Sequence, residues 1–224
     1  MTERGDQTRD RLLDAAELLW AERGLYAVSV RDINQAAAQR NHNAVHYHFG
    51  SRAGLLRAVA ERHLAVLNER TDKLWAEVRA APSMSVRDQV GVLVRPTAEY
   101  LGDGPSARAW LVISAQLLAD PQQTDEQTAS VVSQAAIEVG TLLVERLELD
   151  LGRVAAIERV RMASEAVLHL IADRARLEDA PGRARVLVPL PTFVELVVDM
   201  TAAAITSNPS DPLLRVLAPL RHSP

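Results

Sequence analysis

The sequence contains no cysteine, which removes disulfides and thiolate metal sites from consideration. Aromatic residues make up only 4% of it, whereas strands favour aromatic and β-branched side chains. Lysine is almost missing: Lys73 is the only one, and every other basic residue is arginine. A GC-rich coding composition accounts for that bias and for the excess of alanine and leucine, and both of those residues also favour helix. No uninterrupted apolar run approaches about 18 residues, so no membrane span is expected. Met1–Asp10 is polar and lacks the apolar centre of a secretion signal, which makes the cytoplasm the expected location.

What remains is the composition of a globular chain. It has 224 residues, 48% hydrophobic and 24% charged, enough for one or two domains with a sizeable core. A net charge of -4 argues only weakly against a nucleic-acid partner, because the charge is unevenly placed. From Ile33 to Ala60 there is no acidic residue, and that window carries Arg40, Arg52 and Arg57 with His42, His46 and His48. A locally basic face on an acidic protein suffices to track phosphates.

Periodicity predicts helices throughout. Leu12, Ala15, Ala16, Leu19 and Trp20 form one apolar stripe over Thr8–Arg23. Thr8 can cap its start and Gly24 can end it. Ser29, with Asp32 three residues on, opens a second helix over Val30–Ala37. The polar stretch Gln39-Arg40-Asn41 breaks the pattern, and a short helix over His42–His48 follows, with Asn41 as its N-cap. Gly50 closes it, and Ser51 caps a long helix from Arg52 to about Ala80. Further helices are expected at Val86–Leu101, Ser106–Ala119, Asp125–Leu149, Val154–Asp179 and Pro191–Thr206. The tail from Ser207 reads as loosely ordered, with Leu213–Leu217 able to dock. Nine helices and no convincing strand predict an all-α fold.

The first three helices have the form of a helix-turn-helix with a supporting helix in front. The second short helix is the one that enters the major groove. Val45 and Phe49, four apart, face inward, while His42, Asn43 and His46 face outward, where they can bond base edges or phosphates.

In these residues the sequence resembles the TetR family of bacterial transcription regulators. The matching stretch includes Trp20-Ala21-Glu22-Arg23-Gly24-Leu25-Tyr26 and Ser29-Val30-Arg31-Asp32-Ile33. Its most specific piece is Val45-His46-Tyr47-His48-Phe49-Gly50-Ser51-Arg52-Ala53-Gly54-Leu55-Leu56. The resemblance implies an N-terminal three-helix DNA-binding domain over 1–52 and a helical effector-binding and dimerisation domain over 53–206, followed by the tail 207–224. It also implies site residues. Tyr47, His46 and Arg52 would contact phosphates; His42 and Asn43 would face bases; Arg31 would approach the backbone or a base. Ser29, Arg40 and Asn41 complete the DNA-facing set. His48 is either a phosphate contact or a partly buried structural histidine. The sequence departs from the family pattern in the turn. Its usual glycine is replaced within Ala38-Gln39-Arg40-Asn41, the span from Ile33 to Phe49 is one residue longer, and the usual Tyr-Tyr pair is His46-Tyr47.

The last two long helices are apolar over wide faces, and a helix apolar on most sides needs partners on most sides. Ile157, Val160, Val167, Leu168 and Ile171 on one, and Phe193, Leu196, Val197 and Met200 on the other, fit the family's four-helix dimer interface. The family also implies a small-molecule effector of unknown identity. Pro96 lies inside a helical pattern and should kink it, leaving space beside it. Trp75, Tyr100 and Trp110 are candidates to line that space, with Arg95 or His169 as polar anchors. Ordinary core packing explains any one of these aromatics equally well.

An enzyme is the competing class, and the sequence offers no metal-ligand pattern, Gly-x-Ser-x-Gly elbow, phosphate loop or dinucleotide fingerprint for it. His42, His46 and His48 lack a nearby acid or cysteine to complete a metal shell, so no metal and no cofactor are expected. The expectation is a repressor, a homodimer on palindromic operator DNA, released by a small molecule.

Overall fold

The computed structural model describes residues 3–39, 41, 43–119, 133–180, 182 and 186–217, with only the backbone described for residues 3 and 4. Its helices are α1 (Glu3–Arg23), α2 (Val30–Ala36), α3 (Ala44–Phe49), α4 (Arg52–Ala80), α5 (Val86–Glu99), α6 (Pro105–Leu118), α7 (Gln134–Leu151), α8 (Arg153–Asp179), α9 (Leu190–Thr206) and α10 (Asp211–Leu217), with a 3-10 turn at Tyr100–Asp103. Among the described residues there is no strand, and no single helix is long and apolar enough to cross a membrane. The fold is all-α.

Local chemistry sets most of the boundaries. Ser29 and Asp32 form a reciprocal capping box at the start of α2: Ser29 Oγ accepts from the Asp32 amide at 3.2 Å, and the Ser29 amide donates to Asp32 Oδ2 at 2.9 Å. Ser51 Oγ accepts from the Gly54 amide at 3.0 Å and so caps α4. Gly24 (φ +91°) and Gly50 (φ +73°) end α1 and α3 in the left-handed region.

Four expectations are corrected. Helix α1 starts at Glu3, so Thr8 lies inside it rather than capping it; the polar residues before Thr8 are helix-compatible and simply extend it. Helix α3 starts at Ala44, because Asn41 bonds the Asn43 amide through Oδ1 at 3.0 Å and spends itself on the turn. The helix placed at Asp125–Leu149 begins at Gln134, capped by Ser133, and runs to Leu151, where Gly152 ends it; residues 125–132 lie outside the described residues. Within the tail, Asp211–Leu217 is helical, and Leu217 is buried.

The chain packs as two compact units. The described residues of Met1–Val66, Tyr100–Val131 and Ala172–Gly182 form the first. Leu12, Leu13, Trp20, Ile33, Val45, Leu55, Leu111 and Ile113 are its fully buried centre. Truncating one of the large ones would cost roughly 3–5 kcal/mol. Within this unit Arg62 and His63 of α4 reach Glu17 of α1.

The described residues of Leu67–Glu99, Val132–Ile171 and Arg183–Pro224 form the second. There α9 packs on α5 through Val194, Val197 and Val198, all buried. Arg87 reaches Glu195 and Asp199 at 2.6 and 2.7 Å, and Arg95 also pairs with Glu195. Hydrogen bonds from Arg95 and Arg87 hold the Glu195 carboxyl down to about 2. Arg159 from α8 caps the end of α9, donating to the Ser207 carbonyl at 2.7 Å.

Candidate nucleic-acid interface

The turn between α2 and α3 is where the sequence departs most from the pattern it resembles, and its backbone is under local demand. Ala38 takes φ +52°, the left-handed region that glycine enters freely and alanine does not. The turn is stapled around it. The Gln39 amide donates to the Asn34 carbonyl at 2.9 Å, and Gln39 Nε2 donates to the Ala37 carbonyl at 2.9 Å.

Helix α3 then presents its residues on two sides. Ala44 and Val45 are buried against the first unit's core. Asn43, His46 and Tyr47 are exposed, Tyr47 at 82%. His46 Nδ1 lies 3.1 Å from the Gly50 carbonyl oxygen, and the His48 ring meets the edge of Tyr47 with centroids 5.0 Å apart. His48 is half-buried. Phe49, expected inside, is also only half-buried, with the Arg9 guanidinium 5.2 Å above its ring centre.

Arg31 is exposed at the start of α2, and Asn41 is exposed in the turn. Ser29 is exposed, but its hydroxyl is engaged, donating to Asp32 Oδ2 at 2.6 Å. Arg40 and His42 lie outside the described residues. Arg52 does not face outward as a phosphate contact would: its guanidinium donates to the Leu25 carbonyl and lies 5.4 Å from the centre of the Trp20 ring. Burial pushes it below the usual guanidinium range. The backbone hydrogen-bonding need at the end of α1 outweighs the pull of solvent on this side chain.

Gly54 has a reason that the sequence alone did not reveal. A Cβ there would collide with the Phe49 carbonyl oxygen, so only glycine lets the first turn of α4 close on the end of α3.

The other candidate residues fall in separate places. In the first unit, Tyr100 and Trp110 are buried and meet at His63. His63 Nδ1 is 2.8 Å from the Tyr100 hydroxyl. Glu17 lies 2% exposed beside them, accepting from Ser106 Oγ at 2.5 Å and from Arg62 at 3.0 Å. Burial alone would raise its carboxyl, but the bonds from His63 and Ser106 and the charge of Arg62 prevail and hold it low. Sequence reasoning missed Glu17 and His63, because a buried charge on an otherwise apolar stripe looks like a solvated one.

In the second unit, Trp75 is buried with its indole N–H donating to Glu138 at 2.8 Å. Pro96 is buried within α5, Arg95 is tied to Glu195, and His169 is exposed.

Of the residues expected on an outward apolar face, Val167, Ile171 and Val197 are core within this one chain, because α8 and α9 each spend one side on their own unit. Ile157, Leu196 and Met200 are exposed at 46%, 48% and 59%, and Val160, Leu168 and Phe193 are half-buried. Ile157 and Val160 also line an open groove of about 380 Å³ between α7 and α8, with Ile137 and Val144 opposite.

A three-helix head with a helix-turn-helix whose second helix lies in an acid-free stretch has the form of a DNA-binding regulator. Residues 12–59 match the model for bacterial regulatory proteins of the tetR family. No curated protein matches the chain. Among solved structures it is similar to a tetR-family regulatory protein from Rhodococcus RHA1, at 15% identity and a TM-score of 0.57, covering 94% of this chain and 100% of that one. It is also similar to a TetR-like regulator from Rhodococcus sp. RHA1, at 21% identity and a TM-score of 0.52, covering 88% and 93%. A third is NalD of Pseudomonas aeruginosa, the secondary repressor of the MexAB-OprM multidrug efflux pump, at 19% identity and a TM-score of 0.53, covering 89% and 97%. At these identities the likeness speaks for the fold.

Proposed function

We propose that this DNA-binding transcription regulator is a repressor, that it binds a palindromic operator as a twofold homodimer, and that a small-molecule effector releases it. The observation that carries the DNA-binding part is the outward set Asn43, His46 and Tyr47 at α3, inside the acid-free stretch from Ile33 to Ala60, with Arg31 exposed on α2. Asn43 is suited to a base edge. Arg31, His46 and Tyr47 are suited to phosphates.

Support for the dimer comes from the exposed apolar residues Ile157, Leu196 and Met200 on α8 and α9. Twofold pairing there presents two equivalent recognition helices to paired half-sites. NalD, which shares the fold, is a repressor. The reading makes the protein a transcription factor rather than an enzyme.

The effector is taken to be a mainly apolar small molecule that prefers the conformation unable to span successive major grooves. A ligand of equal affinity for both states shifts nothing, and a useful switch needs a coupling of roughly 1–3 kcal/mol.

The test is a gel shift with duplexes enriched from a random pool by the protein itself. The enriched sequences should be inverted repeats with half-sites about one helical turn apart. A pool that fails to enrich, or enriches sequences without twofold symmetry, refutes the reading. Trp75 and Trp110, both buried, then serve as fluorescent reporters in a ligand screen, and each hit is tested for release of the enriched duplex.

A further inference from the structure

A single residue in the connector between α1 and α2 has both of its backbone polar groups held by distant side chains. The Leu25 amide donates to Gln116 Oε1 of α6 at 2.9 Å, and the Leu25 carbonyl accepts from Arg52 at the start of α4. The same Gln116 amide donates through Nε2 to the Trp20 carbonyl at 3.3 Å, one turn back in α1. The Arg52 guanidinium meanwhile lies over the Trp20 ring. Leu25 follows Gly24, where α1 ends, and Ser29 opens α2 a few residues later. Within the connector only Leu25 and Val28 are buried, while Tyr26, Ala27 and Ser29 are exposed. The polar grip on the Leu25 backbone therefore lies where the chain leaves α1 for α2.

We propose that Gln116 and Arg52 are positioning residues for operator recognition: by fixing the two peptide groups that flank Leu25 they set the angle at which α2 and α3 leave α1. The inference rests on the reading of this chain as a DNA-binding regulator and adds to it two residues that touch no DNA. Gln116 matches the task chemically. Its amide offers an acceptor and a donor in one rigid plane, and the end of α1 supplies the complementary pair: the Trp20 carbonyl, whose second lone pair stays open beside its bond from the Gly24 amide, and the Leu25 amide just past the helix. Arg52 supplies the remaining donor. Since its guanidinium is turned inward, it leaves no mark on counterion release, unlike a residue on a phosphate.

The experiment compares Gln116→Leu, Gln116→Glu and Arg52→Met with wild type on two probes: the duplex enriched by the wild-type protein and a random-sequence duplex of equal length. Binding is measured on protein shown to be folded by circular dichroism, across a salt series, together with hydrogen exchange of the Leu25 amide.

Gln116→Leu and Arg52→Met are expected to weaken the enriched duplex about tenfold, the scale of a lost hydrogen bond. The random duplex and both salt slopes should stay unchanged, and Leu25 exchange should quicken in Gln116→Leu. Gln116→Glu keeps the acceptor for Leu25 and is expected to fall between wild type and Gln116→Leu. A salt slope smaller by about one in Arg52→Met would make Arg52 a phosphate contact and overturn its part. Enriched-duplex affinity unchanged in folded Gln116→Leu, or equal losses on both probes, would overturn the whole proposal. If wild type enriches no duplex, the DNA-binding reading fails first, whereas wild-type enrichment with indifferent variants defeats this inference alone.

Discussion

The imidazole of His63 lies parallel to the indole of Trp110, with ring centroids 5.3 Å apart and 4° between the planes. One ring nitrogen faces the Tyr100 hydroxyl, and the other lies 3.2 Å from Glu17 Oε1. Glu17 is on α1, His63 on α4, Trp110 on α6 and Tyr100 in the 3-10 turn. A buried polar cluster thus joins the supporting helix of the DNA-binding head to three elements packed around it, and Arg62 reaches from α4 to Glu17, Asp14 and Asp10 at its outer edge.

This cluster predicts an acid-dependent stability. The Glu17 carboxyl sits below its ordinary value of 4.5. Its stabilising contribution is therefore complete above that value and is lost as the pH falls through the lower value of the folded state. Removing it by Glu17→Ala should cost roughly 3–5 kcal/mol near neutral pH, because the buried partners lose their acceptor. Denaturant unfolding should show a wide gap between wild type and Glu17→Gln near neutrality, narrowing as the pH falls below the ordinary carboxylate value and the native carboxyl protonates. A gap independent of pH would mean that the carboxylate charge plays no part.

Ala38 predicts a gain rather than a loss. At φ +52° its Cβ crowds the backbone, and glycine would not. Ala38→Gly should raise stability by about 0.5–1 kcal/mol, the relief of left-handed strain less the extra freedom of an unfolded glycine. Thermal unfolding measures it directly, and a lowered midpoint would show that the turn is comfortable as it stands.

These two sites mark what sequence could and could not disclose. The helix ends at Gly24, Ser29, Gly50 and Ser51 were legible because each is set by residues within one turn of chain. The all-α architecture followed from period and composition. The strain at Ala38 was half-visible, as a missing glycine in a turn that wanted one. Neither the Glu17–His63 pair nor the hold of Gln116 on Leu25 was legible, since the partners lie 46 and 91 positions apart and no local pattern announces them. Arg52 shows the limit most plainly. Its residue type and position suggested a phosphate contact, but a side chain's direction is decided by neighbours from elsewhere in the chain, here the Leu25 carbonyl and the Trp20 ring. Wide apolar coverage of α8 and α9 was likewise readable, but not which side each spends on its own unit.

That division of faces makes the proposed dimer testable at chosen residues. Leu196 and Met200 are exposed on α9 while Val197 and Val198 are buried behind them. Leu196→Glu combined with Met200→Glu should leave the fold intact, because both side chains face outward. Light scattering should then report a mass near the 24.5 kDa of one chain, against twice that for wild type. Palindrome binding should fall sharply with it, since a lone head holds one half-site. A double variant that remains dimeric would place the interface elsewhere.

The residues proposed to face DNA separate by their dependence on salt and sequence. Arg31 carries a full charge on the outer side of α2. If it neutralises a phosphate, Arg31→Ala should weaken every duplex alike and reduce the slope of log affinity against log salt by about one. Tyr47 is uncharged and 82% exposed, so Tyr47→Phe should also weaken all duplexes alike while leaving slope and folding stability unchanged. Asn43 stands at the entrance to α3, with its side chain making no cap bond. That leaves its amide available for a base edge, and Asn43→Ala should cost roughly 1–3 kcal/mol at one base position and relax the choice there. Titrating the enriched duplex and its single-base variants against each protein, at several salt concentrations, distinguishes the three. Should Asn43→Ala weaken all sequences equally, the amide meets the backbone instead, and base reading must come from other side chains of the recognition helix.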